Sequence, residues 1–163
     1  MDRFWISMLP ALAVAACGPD MGTMMSDYVQ DLGRHMESLQ AEETSHASAM
    51  HGLSTLDGME GTESVHWQRI EDHLDEMSLM MGDMMGCADE RGVRIDTAGF
   101  ADSMQKIRFE CDEHRHTMLG AADAATARSE EGRHARAIAD RMMVMLDQWD
   151  TLMVDTRGYA CSR

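Results

Sequence analysis

Proline, aromatic residues and positive charge are all scarce in this 163-residue chain, and each scarcity excludes something. The two prolines, Pro10 and Pro19, both lie near the N-terminus, so nothing after them forces a helix to break. Phe, Trp and Tyr make up 5% of the residues, so a core must be assembled from Leu, Ile, Ala and above all the 19 methionines. Met fills irregular gaps well but specifies a packing poorly. β-branched residues are also few, which favours helix over sheet. Lys and Arg number 14 against 29 Asp and Glu, a formal charge of −15. That balance argues against nucleic acid and against an anionic membrane surface as partners. It describes an acidic, solvated exterior that can attract cations. No Gly-rich phosphate loop, Cys-x-x-Cys-His haem attachment or nucleophile elbow is present, so the sequence carries no positive sign of an enzyme. The length suits one domain.

The N-terminus reads as an address. "MDRFWISMLPALAVAAC" begins with Arg3, is apolar from Phe4 to Ala16, and ends in small residues before Cys17. The apolar run is too short to span a bilayer and has the form of a secretory signal over residues 1–16. "VAAC" at residues 14–17 resembles the lipobox of bacterial lipoproteins, a resemblance confined to these residues. It implies cleavage before Cys17, acylation of that cysteine with palmitate-type chains, and a lipid anchor in the cell envelope. Asp2 cancels Arg3, a departure from the usual basic start. Gly18 stands where an inner-membrane retention signal would place Asp, so the outer membrane is expected, facing the periplasm or the cell surface. Residues 17–23 then form a tether. Export leaves Cys87, Cys111 and Cys161, an odd number. Cys87 and Cys161 fall at the same end of the expected fold and are expected to pair. Cys111 is mid-helix, about 20 Å from Cys87 along the axis.

Residues 24–163 read as an all-α, up-down-up-down four-helix bundle. The first helix is expected from Met24 to Ser54, where apolar residues and histidines recur at spacings of three and four. "TLDGMEGT" reads as a turn, and the second helix as Glu63 to Ala88. Asp96 or Thr97 is a cap for the third helix, and Ser129 for the fourth.

The chain also repeats itself. Displaced by 68 residues, Met36, Glu42, His46, Met50 and Gly52 meet Met104, Glu110, His114, Met118 and Gly120. Glu63, His66, Ile70 and Met77 meet Glu131, His134, Ile138 and Met145. A shared heptad rhythm aligns apolar positions; it does not by itself align two histidines and a glutamate in each half. Two hairpins, about 28–86 and 96–154, are therefore expected to be related by a pseudo-twofold axis along the bundle. Counting from the two turns at about 1.5 Å per residue places His46, His66, His114 and His134 in one layer.

Four buried imidazoles need partners. A metal ion supplies one, with these histidines as ligands, Glu42 and Glu110 as carboxylates, and Met50 and Met118 as secondary candidates. The Met-rich surroundings favour copper over zinc or iron, because thioethers are soft ligands. The spacing Glu42-x3-His46, repeated in Glu110-x3-His114, differs from the Glu-x-x-His of carboxylate-bridged diiron proteins, so that family is not assigned. His73 with Cys111 is a possible second site. The expected role is metal sequestration or envelope homeostasis. The alternative is a structural or protein-interaction lipoprotein whose histidines are only hydrogen-bonded. A dimetal enzyme would need open coordination positions and a substrate path.

Overall fold

The computed structural model describes residues 24–159. These form α1 (Met25–Gly52), α2 (Leu56–Arg91), α3 (Ala98–Leu119) and α4 (Ala124–Asp155). Short connections reverse the chain each time. α1 and α3 each pack against both α2 and α4, and α2 touches α4 across the diagonal. The architecture is the expected four-helix bundle of two hairpins. The signal segment, Cys17 and Cys161 lie outside the described residues, and so does the expected Cys87–Cys161 pairing. Among the described residues, no helix is long and apolar enough to cross a membrane.

The turns are tighter than their glycines suggest. α2 begins at Leu56 rather than Glu63, and α4 at Ala124 rather than after Ser129. Thr55 caps α2 by accepting a hydrogen bond from the Gly58 amide at 3.3 Å. Asp123 caps α4 by accepting one from the Thr126 amide at 2.8 Å. Thr55 and Asp123 are themselves 68 residues apart, so the repeat extends into the caps through two different residues with the same chemistry. Gly58 and Gly61 cost α2 roughly 1 kcal/mol each. Met59, fully buried between them, returns roughly 1.5–3 kcal/mol, which is comparable to their combined cost.

Two other glycines are required by geometry. Gly92 ends α2 in the left-handed region at φ 64°. At Gly33 a Cβ would stand 2.9 Å from Trp149, whose indole N–H donates to the Val29 carbonyl at 2.6 Å. The indole thus lies flush against α1.

Apolar packing is divided along the bundle axis. The main core contains Leu32, Met36, Ile70, Phe100, Ile107 and Ile138, all essentially solvent-free. A smaller cluster of Met50, Met59, Met118 and Ala127 closes the end that carries the α1–α2 and α3–α4 turns. Between the two clusters lies a buried polar layer containing His46, Glu63, His66, His114, Glu131 and His134.

Candidate metal centre

The four histidines do come together. His46 stacks on His66 with ring centroids 3.8 Å apart, and His114 on His134 at 4.0 Å. Edge-to-face contacts of 6.4 Å (His46–His114) and 6.3 Å (His66–His134) close the square. The near equality of these pairs is the pseudo-twofold axis expressed in side chains. The cause is the lean of helical side chains toward their own N-terminus. His46 starts nearer the turn and leans away from it, whereas His66 starts farther away and leans back, so the rings meet.

Carboxylates complete two tiers. In the upper tier, nearer the turns, His46 Nε2 lies 3.1 Å from both Glu63 Oε2 and Glu131 Oε2. His114 Nε2 lies 3.2 and 3.3 Å from the same two atoms. All four donor atoms are buried without a properly directed hydrogen bond. Each imidazole nitrogen is thus nearly equidistant from two carboxylate oxygens, with a directed bond to neither. Ligands at the usual Zn–N and Zn–O distances around a tetrahedral ion stand about 3.3 Å from one another. The four N···O edges match that value, so these residues fit a metal ion.

In the lower tier, Glu43 Oε1 lies 3.3 Å from His66 Nε2, and Glu43 Oε2 lies 3.7 Å from His134 Nε2. Cys111 joins Glu43 and His134, with donor atoms all within 4.8 Å of one another. Each helix thus gives one residue to each tier. Glu63 and Glu131 were not among the expected ligands, nor was Glu43. Their signal was nevertheless present: Glu43-x2-His46, Glu63-x2-His66 and Glu131-x2-His134 are all Glu-x-x-His, and the third helix reads Cys111-x2-His114.

The expected carboxylates sit farther out. Glu42 Oε1 meets His66 Nδ1 at 3.5 Å and is held by Arg69 at 3.1 Å. It orients a ring from behind, as carboxylates do around metal-binding histidines. Glu110 instead pairs with Arg141 at 3.3 Å and Arg133 at 3.8 Å. Behind His114 the orienting place is taken by Glu130, 3.7 Å from Nδ1. Met50 and Met118 pack in the apolar end cluster. The His73 ring meets His35, Nδ1 to Nδ1 at 3.1 Å, while Cys111 belongs with Glu43 and His134.

The charges are strongly coupled. Burial alone would pull the His46 and His114 imidazoles down, but Glu131 and Glu63 outweigh it and raise both to about 9. Burial pushes the Glu63 carboxyl up, yet His114 and His46 bring it to about 2 and hold Glu131 low as well. Glu43 falls to about 2 against its own burial, through His134 and His66. At neutral pH the metal-free upper tier is two imidazoliums and two carboxylates, with no net charge.

A cleft of about 370 Å³ between α1 and α2 reaches His46 and His66 past Ala49, Gly58, Gly61 and Val65, with Glu42 and Asp57 also on its walls. The equivalent positions on α4 replace Thr62 and Val65 by Glu130 and Arg133, joined at 2.8 Å. No protein-family model, curated protein or solved structure matches this chain.

Proposed function

We propose that the chain is an exported, lipid-anchored protein that holds a divalent transition-metal ion in the upper tier, for sequestration or envelope metal homeostasis. One observation carries this reading: four buried, undirected donor atoms from four helices, whose four N···O separations match the spacing of ligands around one metal ion. His46, His114, Glu63 and Glu131 would hold the ion. A divalent cation replacing two protons leaves the tier neutral, whereas a monovalent one leaves it at −1. This charge balance, and a donor set without thioether, move the preference from Cu(I) to Zn(II) or Cu(II). Glu42 and Asp57 beside the α1–α2 cleft give a cation an acidic approach. The signal and lipobox residues support the location.

A second reading has its own support. With both imidazoles raised to about 9, the tier is already a neutral network of paired charges and can fix the bundle register with no metal. Elemental analysis separates the two. The full chain, purified without a histidine tag, is compared with His46→Ala/His114→Ala. Bound zinc or copper in the parent, reduced in the variant, with a melting temperature that falls on chelation, supports the metal reading. A parent that binds neither ion after reconstitution and melts unchanged with chelator overturns it.

A further inference from the structure

Duplication should have made each tier symmetric within itself, and the upper tier is, but the lower tier departs from that symmetry in one ligand. Counting 68 residues from His46, Glu63 and His66 gives His114, Glu131 and His134; the same step from Glu43 gives Cys111. A thiol stands where the symmetry demands a carboxylate.

We infer that the lower tier is a second metal site of different chemistry, with Cys111 thiolate, Glu43 and His134 as ligands for a borderline, thiophilic divalent cation, and with His66, whose Nε2 lies 3.3 Å from Glu43 Oε1, as a fourth that would have to draw in. This goes beyond the upper-tier reading and does not need it, because no ligand is shared. Cys111 is 3% exposed and His134 fully buried. Glu43 Oε1 and Oε2, His66 Nε2 and both His134 nitrogens are buried without a directed hydrogen bond. Those orphaned atoms are the independent observation that points to a ligand. A buried thiol lying only in apolar core would need no such company. His66 has the outer partner expected of a ligand, since its other nitrogen faces Glu42, itself anchored by Arg69. A Cys, two His and a carboxylate suit Zn(II), Co(II) or Cu(II), and the sulfur favours softer ions than the upper tier takes. Binding would release the Cys111 proton, so the thiolate and Glu43 together neutralise a divalent charge.

Cobalt(II) titration of the full chain, kept reduced and with Cys17, Cys87 and Cys161 changed to serine in every variant so that Cys111 is the one thiol, tests this, because thiolate ligation gives an intense sulfur-to-cobalt charge-transfer absorption in the near ultraviolet. The expected result is two equivalents bound, one developing that absorption. Cys111→Ser should lose the absorption and one tight equivalent, and Cys111→Glu should restore the second equivalent without the absorption. Glu63→Gln/Glu131→Gln should keep the absorption. An absorption that never develops, or one that survives in Cys111→Ser, overturns the lower site. A wild type that binds one equivalent with full absorption, unchanged in Glu63→Gln/Glu131→Gln, overturns the upper site and leaves the lower one standing. Circular dichroism of both Cys111 variants confirms that the helices persist.

Discussion

The proposed metal site carries a pH dependence that follows from the charge state of the upper tier. With His46 and His114 both raised to about 9, each ring carries a proton at pH 7 that an incoming ion must displace. Glu63, held at about 2, and Glu131, held low, are already ionised and contribute no proton. Two protons released mean that the apparent association constant rises about 100-fold per pH unit, or about 2.7 kcal/mol. The rise should flatten above about 9, where the rings are already neutral. Competition between the protein and a zinc chelator of known proton linkage, at fixed ionic strength, gives the slope. Titration calorimetry in two buffers of different protonation enthalpy counts the protons directly. Cys111→Ser is the background of choice, since it removes the thiol proton from the count. A slope near zero between pH 7 and 8 would refute the claim that these two imidazoles are both ligands and both protonated beforehand.

The metal-free fold should respond in the opposite sense. A raised imidazole pKa stabilises the fold below the unfolded value of 6.5 and loses that contribution as pH climbs through about 9. The depressed Glu63 pKa stabilises above 4.5 and is lost as pH falls toward 2. The metal-free protein is thus most stable between about 4.5 and 6.5. Each ring carries about 3 kcal/mol, counted once because the carboxylate shifts report the same pairs. At the proposed site, raising the pH from about 6.5 toward 9 therefore strengthens metal binding while it weakens the empty bundle.

Other perturbations probe single contacts. Glu131→Ala strips a carboxylate from both His46 and His114 and should cost the metal-free protein about 3–5 kcal/mol in urea denaturation at pH 6. Met59→Ala opens the apolar end cluster, for a loss of about 2–5 kcal/mol by the same assay, with faster metal removal by chelator. Thr62→Glu/Val65→Arg transplants the α4 pair onto the α1–α2 cleft and should slow chelator-driven release on the order of tenfold, a barrier change of about 1.4 kcal/mol. Gly33→Ala forces a methyl into the Trp149 ring and should lower stability by about 1–3 kcal/mol in thermal melts, with metal content unchanged.

Much of this arrangement was legible in the residues. The four helices followed from apolar periodicity, and the histidine layer from the 68-residue repeat, because a heptad rhythm does not align histidines. The first turn is not legible in the residues, because Gly58 and Gly61 have the form of breakers and only the burial of Met59 between them keeps the helix going. The carboxylates were harder for a physical reason. Glu42 and Glu43 both lie within one turn of His46, about 100° apart around α1. The repeat singled out Glu42, because its counterpart Glu110 is also a glutamate. Position 43 carries no such signal, because its counterpart is Cys111. The neighbouring helices decide which residue faces inward: Arg69 draws Glu42 outward, while His66 and His134 receive Glu43.

That outcome explains why the spacing three, rather than four, organises the centre. In an antiparallel bundle, side chains on adjacent helices lean in opposite directions. A histidine on α1 therefore meets not the glutamate of its own helix but one that leans toward it from α2 or α4. Within a helix, Glu-x-x-His places its two ends about 4.5 Å apart along the axis, one on each tier. On α1 the glutamate is the lower member, and on α2 the histidine is. Alternating directions around four helices then supply each tier with two imidazoles and two anionic positions automatically. A hairpin carrying this motif on both arms needs only to be duplicated to close both tiers. Replacing one of the four glutamates by Cys111 changes the chemistry of a single tier and leaves the other intact.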